Sequence, residues 1–180
     1  NNATYSSLPN ITGNSDDPVA GVSSVKIAIR NTTDTQYWDG SLWQAGDIDS
    51  WVNATGTVNW TYSSPPWTGN KTYIVKSYAI DAANNTESPG VVSTFKFDNV
   101  PPASTITYPV NGTNINALAS ITGTASDVTS TISVVDLNIK NNTDTTVWNG
   151  TTWISGSLNW VNASGTSPWT YTGVTWVNGK

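Results

Sequence analysis

The segment IRNTTDTQYWDGSLW, residues 29–43, indicates the architecture of this chain, because a similar segment occurs a second time. Its second copy is IKNNTDTTVWNGTTW, residues 139–153, which lies 110 residues later and is identical at eight of fifteen positions. Duplicated segments at a fixed spacing are typical of proteins built from structural repeats. The 180 residues therefore contain parts of two copies of one repeat.

The duplication extends beyond this segment in both directions. Residues 11–13, ITG, recur at 121–123 with the same offset. After a one-residue deletion, residues 51–54, WVNA, recur at 160–163. All ten tryptophans fall into five matched pairs. We therefore interpret nearly the whole chain as repeated sequence.

Neither copy of the repeat is whole. Residues 103–110 have no equivalent in the first copy, and residues 71–98 have none in the second. We predict one repeat over residues 1–100 that lacks its first strand, and another over 101–180 that lacks its last strands. Pro101-Pro102 at the boundary stiffen the connection, because each ring fixes its own φ angle. The interpretation is a piece of a longer tandem array.

The local signals all predict β-structure. Apolar residues alternate with others over 25–30 and again over 135–139, which is the pattern of a strand with one buried face. Residues 71–80 and 91–97 are rich in Val, Ile, Tyr and Phe and predict two further strands. Asp39-Gly40 predicts a two-residue hairpin turn. The predicted fold class is all-β, with two sheets packed as a sandwich in each repeat.

Several segments resemble the prokaryotic immunoglobulin-like repeats of large cell-surface proteins. They are ITGTASD at 121–127, AIDAANN at 79–85 and the Trp-Asp-Gly hairpin, in the order found in that family. The resemblance implies tandem immunoglobulin-like (Ig-like) β-sandwich domains in an extracellular stalk with no catalytic activity. Asn84 stands where such repeats usually carry Gly, and Asn tolerates the left-handed backbone, so we expect the turn to be kept.

Composition excludes several functions. Only 11% of residues are charged, and the polar surface comes instead from 28 Thr, 21 Ser and 21 Asn. A net charge of −5 argues against a nucleic-acid partner, which requires a basic surface. The absence of His and Cys removes imidazole acid–base catalysis, thiol nucleophiles and the usual zinc ligands. No apolar run approaches the roughly 20 residues of a membrane span. We predict that the chain is not an enzyme.

Five aspartates in loops or in the linker are candidate calcium ligands, because Ca²⁺ is bound by carboxylate and carbonyl oxygens of loops. They are Asp16, Asp17, Asp81, Asp98 and Asp127. A shared ion would stiffen the joint between stacked repeats. The alternative is that these carboxylates are solvated or cap turns.

Acceptor sites for N-glycosylation, Asn-x-Ser/Thr, are more frequent than the composition alone gives. The eleven asparagines are Asn2, Asn10, Asn31, Asn53, Asn59, Asn70, Asn84, Asn111, Asn141, Asn149 and Asn162. Glycosylation requires an exported chain, and it would indicate a surface glycoprotein. The alternative is that a sheet surface rich in Thr and Asn produces such triplets without modification.

The tryptophans allow two interpretations. They could form exposed platforms that stack on sugar rings, as in carbohydrate-binding modules. Alternatively, they form the core of each repeat, since one large aromatic side chain buries 150–250 Å². Retention of all five in both copies favours the second interpretation.

The predicted function is that of a non-enzymatic structural or adhesive stalk, extracellular and at the cell surface. Its partners are expected to be neighbouring repeats or identical subunits, with surface glycans as a further candidate. One alternative is a self-assembling subunit of a filament or surface layer, in which a strand of one subunit completes the sandwich of the next. A second alternative is a carbohydrate-binding module with exposed tryptophans.

Overall fold

A computed structural model of the chain describes residues 2–88 and 91–180. All regular secondary structure within these residues is β and forms several sheets, which confirms the predicted all-β class. The described residues contain no helix, and hence none long and apolar enough to cross a membrane. The chain separates into two compact units, Asn1–Val100 and Pro101–Lys180.

The first unit is built on one large sheet and one small sheet. Its strands are β1 (Asn2–Tyr5), β2 (Asn10–Asn14), β3 (Val22–Asn31), β4 (Gln36–Trp38), β5 (Trp43–Ala45), β6 (Trp51–Asn53), β7 (Asn59–Ser63), β8 (Lys71–Asp81) and β9 (Val91–Phe97). The large sheet has the order β1-β9-β8-β3-β4-β5, and β6 also pairs with β3. β2 and β7 form the small sheet. The two strands predicted over 71–80 and 91–97 are confirmed as β8 and β9.

The second unit contains shorter strands in three small sheets. They are β10 (Ala103–Tyr108), β11 (Ser120–Ser126), β12 (Asp136–Leu137), β13 (Lys140–Asn141), β14 (Thr146–Trp148), β15 (Trp153–Ser155), β16 (Val161–Asn162) and β17 (Trp169–Thr172). The sheet orders are β10-β11-β17, β12-β16 and β13-β14-β15.

Four strand pairings are the same, residue by residue, in the two units. Gly13 pairs with Trp60 between β2 and β7, and Gly123 pairs with Trp169 between β11 and β17. The hairpins β4–β5 and β14–β15 share one register, as do the pairs β3–β6 and β12–β16, and β3–β4 and β13–β14. The duplication in sequence is therefore a duplication in structure.

Each unit has its own core, and the alternating residues lie in it. Val25, Ile27 and Ile29 on β3 are at most 1% exposed. Their equivalents in the second unit are also buried; they are Val135, Leu137 and Ile139. A period of two places these side chains on one face of the strand, as predicted from the sequence.

The hairpin between β4 and β5 forms where predicted, but its turn is different. Residues 39–42 connect the strands, and only Gly40, with φ of 104°, has a positive φ angle. The predicted two-residue primed turn centred on Asp39-Gly40 is wrong. The Asp39 carboxylate accepts hydrogen bonds from the N–H groups of Ser41 and Leu42, both at 2.8 Å, and this cap favours a longer loop.

Candidate functional site

One pair of tryptophans forms an internal hydrogen bond that is the same in both units. Trp38 Nε1 donates to the Tyr62 hydroxyl at 2.8 Å, and Trp148 Nε1 donates to the Tyr171 hydroxyl at 3.0 Å. Both indole rings are buried, with 7% of Trp38 and 1% of Trp148 exposed. A buried indole N–H requires an acceptor, and the tyrosine supplies it. These two rings have no free face for a sugar.

A second pair explains the repeated Ile-Thr-Gly segment. A Cβ atom added to Gly13 would lie 2.2 Å from the Trp60 ring, and one added to Gly123 would lie 2.2 Å from the Trp169 ring. Both rings are buried. Glycine is therefore required at these positions because the indole lies directly on the backbone of the paired strand.

Two more pairs fasten loops to the core through backbone carbonyls. Trp43 Nε1 donates to the Pro66 carbonyl, and Trp153 Nε1 donates to the carbonyl of the equivalent residue, Thr175. Trp67 and Trp176 likewise donate to the carbonyls of two equivalent leucines. Four of the five tryptophan pairs thus have matching structural roles in the two units.

The fifth pair differs between the units. Trp51 packs edge to face against Tyr78 of β8, with ring centroids 4.5 Å apart. Its equivalent, Trp160, is 59% exposed. The 180 residues include no equivalent of Tyr78 in the second unit.

The candidate calcium ligands are placed in different loops. Asp16, Asp17 and Asp81 line one cleft of the first unit, whereas Asp98 and Asp127 do not. Within residues 2–88 and 91–180, no three acidic, His or Cys side chains are close enough together to hold a metal ion. Calcium binding by these residues stays a prediction.

Local hydrogen bonds engage four of these carboxylates. Asp17 accepts from the N–H groups of Ala20 and Val19, which hold the pKa of Asp17 below its usual value. In the second unit Asp127 caps the same kind of turn, and the N–H groups of Ser130 and Thr129 lower its pKa.

Asp81 and Asp98 are also used within their own loops. Asp81 is buried and accepts from the backbone N–H and the side-chain amide of Asn85, at 2.8 and 2.7 Å. Asp98 accepts from the N–H of Val100 at 3.2 Å. Asp17, Asp81, Asp98 and Asp127 therefore each take part in a turn, which agrees with the alternative interpretation for these four residues.

Two of the candidate glycosylation sites are buried. Asn31 is 3% exposed and Asn141 is 9% exposed. The side-chain amide of each donates to an aspartate, Asp34 at 2.9 Å and Asp144 at 3.1 Å. The oxygen of each asparagine accepts from two N–H groups of the turn that follows. A glycan on either nitrogen would break this turn, so the repeated Asn-x-Thr has a structural explanation at these positions.

The turn organised by Asn31 contains a strained residue. Thr35 has φ of 56°, and its equivalent Thr145 has φ of 55°. A β-branched residue in this region is unfavourable, and the surrounding hydrogen bonds must hold it there. Sequence analysis missed this role because the same residues also form a glycosylation triplet.

The other candidate acceptors are more accessible. Asn84 has φ of 65° and is exposed, as expected for Asn in the Gly position of the turn. Asn70 is half-buried, and the side chain of Asn2 lies outside the described residues. The remaining acceptors are exposed; they are Asn10, Asn53, Asn59, Asn111, Asn149 and Asn162.

Sequence analysis also missed an ion-pair cluster on the large sheet. Arg30 on β3 forms ion pairs with Asp47 and with Asp49, the second at 3.7 Å. Asp49 also accepts from Lys76 on β8 at 2.6 Å. The partners are distant in sequence, so no local pattern could have indicated this cluster.

Comparisons with family models, with curated proteins and with solved structures found no match to this chain. The resemblance to immunoglobulin-like repeats therefore remains a prediction from the residues that carry it.

Proposed function

We propose that this chain is a non-enzymatic segment of an extracellular, cell-surface stalk made of tandem immunoglobulin-like repeats. One observation carries the proposal: the two units repeat the same strand registers and the same tryptophan hydrogen bonds. A protein becomes longer when one rigid module with its own core is repeated, and this requires no catalytic or ligand-binding site.

The strand order supports the immunoglobulin-like assignment. In such folds the strands G, F, C, C′ and C″ share one sheet, and B and E belong to the other. The order β9-β8-β3-β4-β5 corresponds to the first set, and β2–β7 corresponds to the B–E pair. In the second unit β10-β11-β17 corresponds to strands A, B and E. The chain differs from antibody domains in having no cysteine pair between the sheets.

The surface chemistry also favours an exported structural protein. Uncharged Ser, Thr and Asn provide most of the polarity, and exposed acceptor asparagines are present in both units. Two of the three aspartates that line the cleft of the first unit, Asp17 and Asp81, already accept hydrogen bonds within their own turns. A carbohydrate-binding function is less supported, because four of the tryptophans are buried; they are Trp38, Trp60, Trp148 and Trp169.

The test is surface exposure on the source cells. An antibody raised against the 180-residue chain is applied to intact cells and, as a control, to lysed cells. We expect equal labelling of both, with loss of the signal after mild protease treatment of intact cells. Labelling that requires lysis would contradict the proposal.

A further inference from the structure

The buried side chain of Asn31 lies beside an ion pair that connects two strands of the large sheet. Asn31 Nδ2 donates to Asp34 Oδ2 at 2.9 Å, and Lys71 Nζ donates to the other oxygen of the same carboxylate, Oδ1, at 2.7 Å. Asn31 is the last residue of β3, and Lys71 is the first residue of β8. The carboxylate therefore bridges an amide and an amine from different strands. We call these three residues the Asn–Asp–Lys cluster.

The same cluster is present in the second unit. Asn141 Nδ2 donates to Asp144 Oδ2 at 3.1 Å, and Lys180 Nζ donates to Asp144 Oδ1 at 2.6 Å. The chain contains only seven Lys and Arg residues, so the two matched lysines are not the product of a lysine-rich surface. The cluster is thus a property of the repeat.

The carbonyl group of the buried amide is held by two fixed donors. Asn31 Oδ1 accepts from the backbone N–H groups of Thr33 and Asp34, both at 3.1 Å. Donors placed in this way stabilise the negative charge that develops on a carbonyl oxygen when a nucleophile attacks its carbon. The surroundings of Asn31 Oδ1 therefore resemble an oxyanion hole.

The other two members of the cluster can supply a nucleophile and a base. A lysine ammonium must lose a proton before its nitrogen can attack a carbonyl carbon, and Asp34 already accepts a hydrogen bond from Lys71 Nζ. The hydrogen bond from Lys71 holds the pKa of Asp34 below its usual value, so the carboxylate is ionised at neutral pH and can accept that proton. Nucleophile, base and polarised amide thus lie in one hydrogen-bonded group.

We propose that Lys71 and Asn31 form an isopeptide bond, a covalent amide between their side chains, and that Asp34 moves the protons. Nζ attacks Cγ of Asn31, the bond between Cγ and Nδ2 breaks, and nothing is oxidised or reduced. The two protons that Nζ loses pass through the carboxylate to Nδ2, which leaves as ammonium, and Asp34 ends ionised as it began. The equivalent bond joins Lys180 to Asn141.

The reaction needs no external enzyme or co-reactant, because folding brings the reacting groups together. Fixing two groups side by side replaces a slow encounter in solution by a reaction within one molecule. The product ties the end of β3 to the start of β8 and restricts the unfolded chain, as other covalent cross-links do. This inference goes beyond the proposed function, because a stalk of repeats requires no bond between side chains.

The experiment measures the mass of the 180-residue chain, produced in a host without N-glycosylation and incubated after folding. We expect a mass below that of the sequence by one ammonia molecule for each unit. Trypsin should not cut after a lysine whose side chain has become an amide. The digest should therefore contain residues 31–76 as a single peptide that lacks one ammonia, instead of the separate peptides 31–71 and 72–76.

Three variants assign the loss of ammonia to the cluster. Lys71→Arg keeps the positive charge but cannot form the bond, and Asp34→Asn removes the base, so each should abolish the loss from residues 31–76. Lys76→Arg is the matched control, because Lys76 also pairs with an aspartate, Asp49, at 2.6 Å, and that carboxylate pairs with an arginine rather than with an asparagine. This control should retain the full loss.

A cross-link between Asn31 and Lys71 in the fragmentation spectrum of peptide 31–76, abolished by Lys71→Arg, supports the proposal. A wild-type mass equal to that of the sequence, or absence of the cross-linked peptide, would overturn it. Loss of ammonia that persists in Lys71→Arg and is sensitive to hydroxylamine would also overturn it, since the product would then be a succinimide at an asparagine.

Discussion

The two units share their hairpin and their tryptophan contacts, but they differ in the pairing of the central strand. Both units form the same hairpin and the same Trp–Tyr hydrogen bond. The pairing of β2 with β7 in the first unit matches that of β11 with β17 in the second. Among the described residues, β8 and β9 belong to the first unit, and the first unit has the unbroken central strand. The two units thus share a framework of strands and tryptophans and differ in the pairing of the central strand.

The largest expected effect comes from removing the aromatic ring of Tyr73 on β8. Tyr73 is completely buried among aromatic residues, so Tyr73→Ala should destabilise the first unit by about 3–5 kcal/mol. Urea unfolding monitored by NMR signals of each unit measures the change. Tyr5→Ala is the control, because Tyr5 is 41% exposed and its loss should cost less. Equal effects of the two substitutions would contradict the role given to β8.

The glycines beneath the tryptophans give the next largest effect. Gly13→Ala forces a Cβ into the Trp60 ring, and overpacking of this kind costs about 1–3 kcal/mol. Gly123→Ala should cost more, because its Cβ would also meet the Thr105 carbonyl of β10 at 2.1 Å. Thermal unfolding of each variant measures the difference. Thr12→Ala, next to Gly13, serves as the control. A smaller loss of stability for Gly123→Ala than for Gly13→Ala, or no loss for either, would contradict the observed packing.

The Trp–Tyr hydrogen bond should be equally important in the two units. Trp38→Phe and Trp148→Phe each leave a tyrosine hydroxyl without its donor, at a cost of about 1–3 kcal/mol. The measurement is the free energy of unfolding of the unit that carries the change. Replacing both partners, as in Trp38→Phe with Tyr62→Phe, should recover part of the loss. A loss confined to one unit would show that the two bonds are not equivalent.

The smallest effect concerns the capping aspartates and depends on pH. The pKa values of Asp17 and Asp127 are lowered in the folded chain, so their contribution is present above the unfolded pKa of about 3.9 and is lost as pH falls through the folded pKa. Asp17→Asn and Asp127→Asn keep the capping oxygen but remove the charge. The stability difference between wild type and each variant, followed from pH 6 downward, should shrink toward zero in acid. A difference that grows in acid would contradict the assignment.

The sequence predicted those features that depend on neighbouring residues. Alternation at 25–29 gave the buried face of β3, and the duplication indicated in advance that the second unit lacks equivalents of β8 and β9. The sequence did not predict the buried position of Asn31 or the ion pair between Arg30 and Asp49. Both depend on contacts made after the chain folds. The predicted turn at 39–42 is wrong because Asp39 caps the loop with its side chain, and the Asp-Gly pattern does not distinguish such a loop from a primed turn.

Amide hydrogen exchange of the unmodified chain tests the central comparison most directly. Residues 22–31 lie between two paired neighbours, and residues 132–141 are paired along one edge only. We predict slow exchange across the first segment and exchange roughly tenfold or more faster across the second, since local opening is easier where fewer hydrogen bonds must break. Equal protection of the two segments would contradict the account, because pairing along one edge would then protect the backbone as well as pairing along both edges.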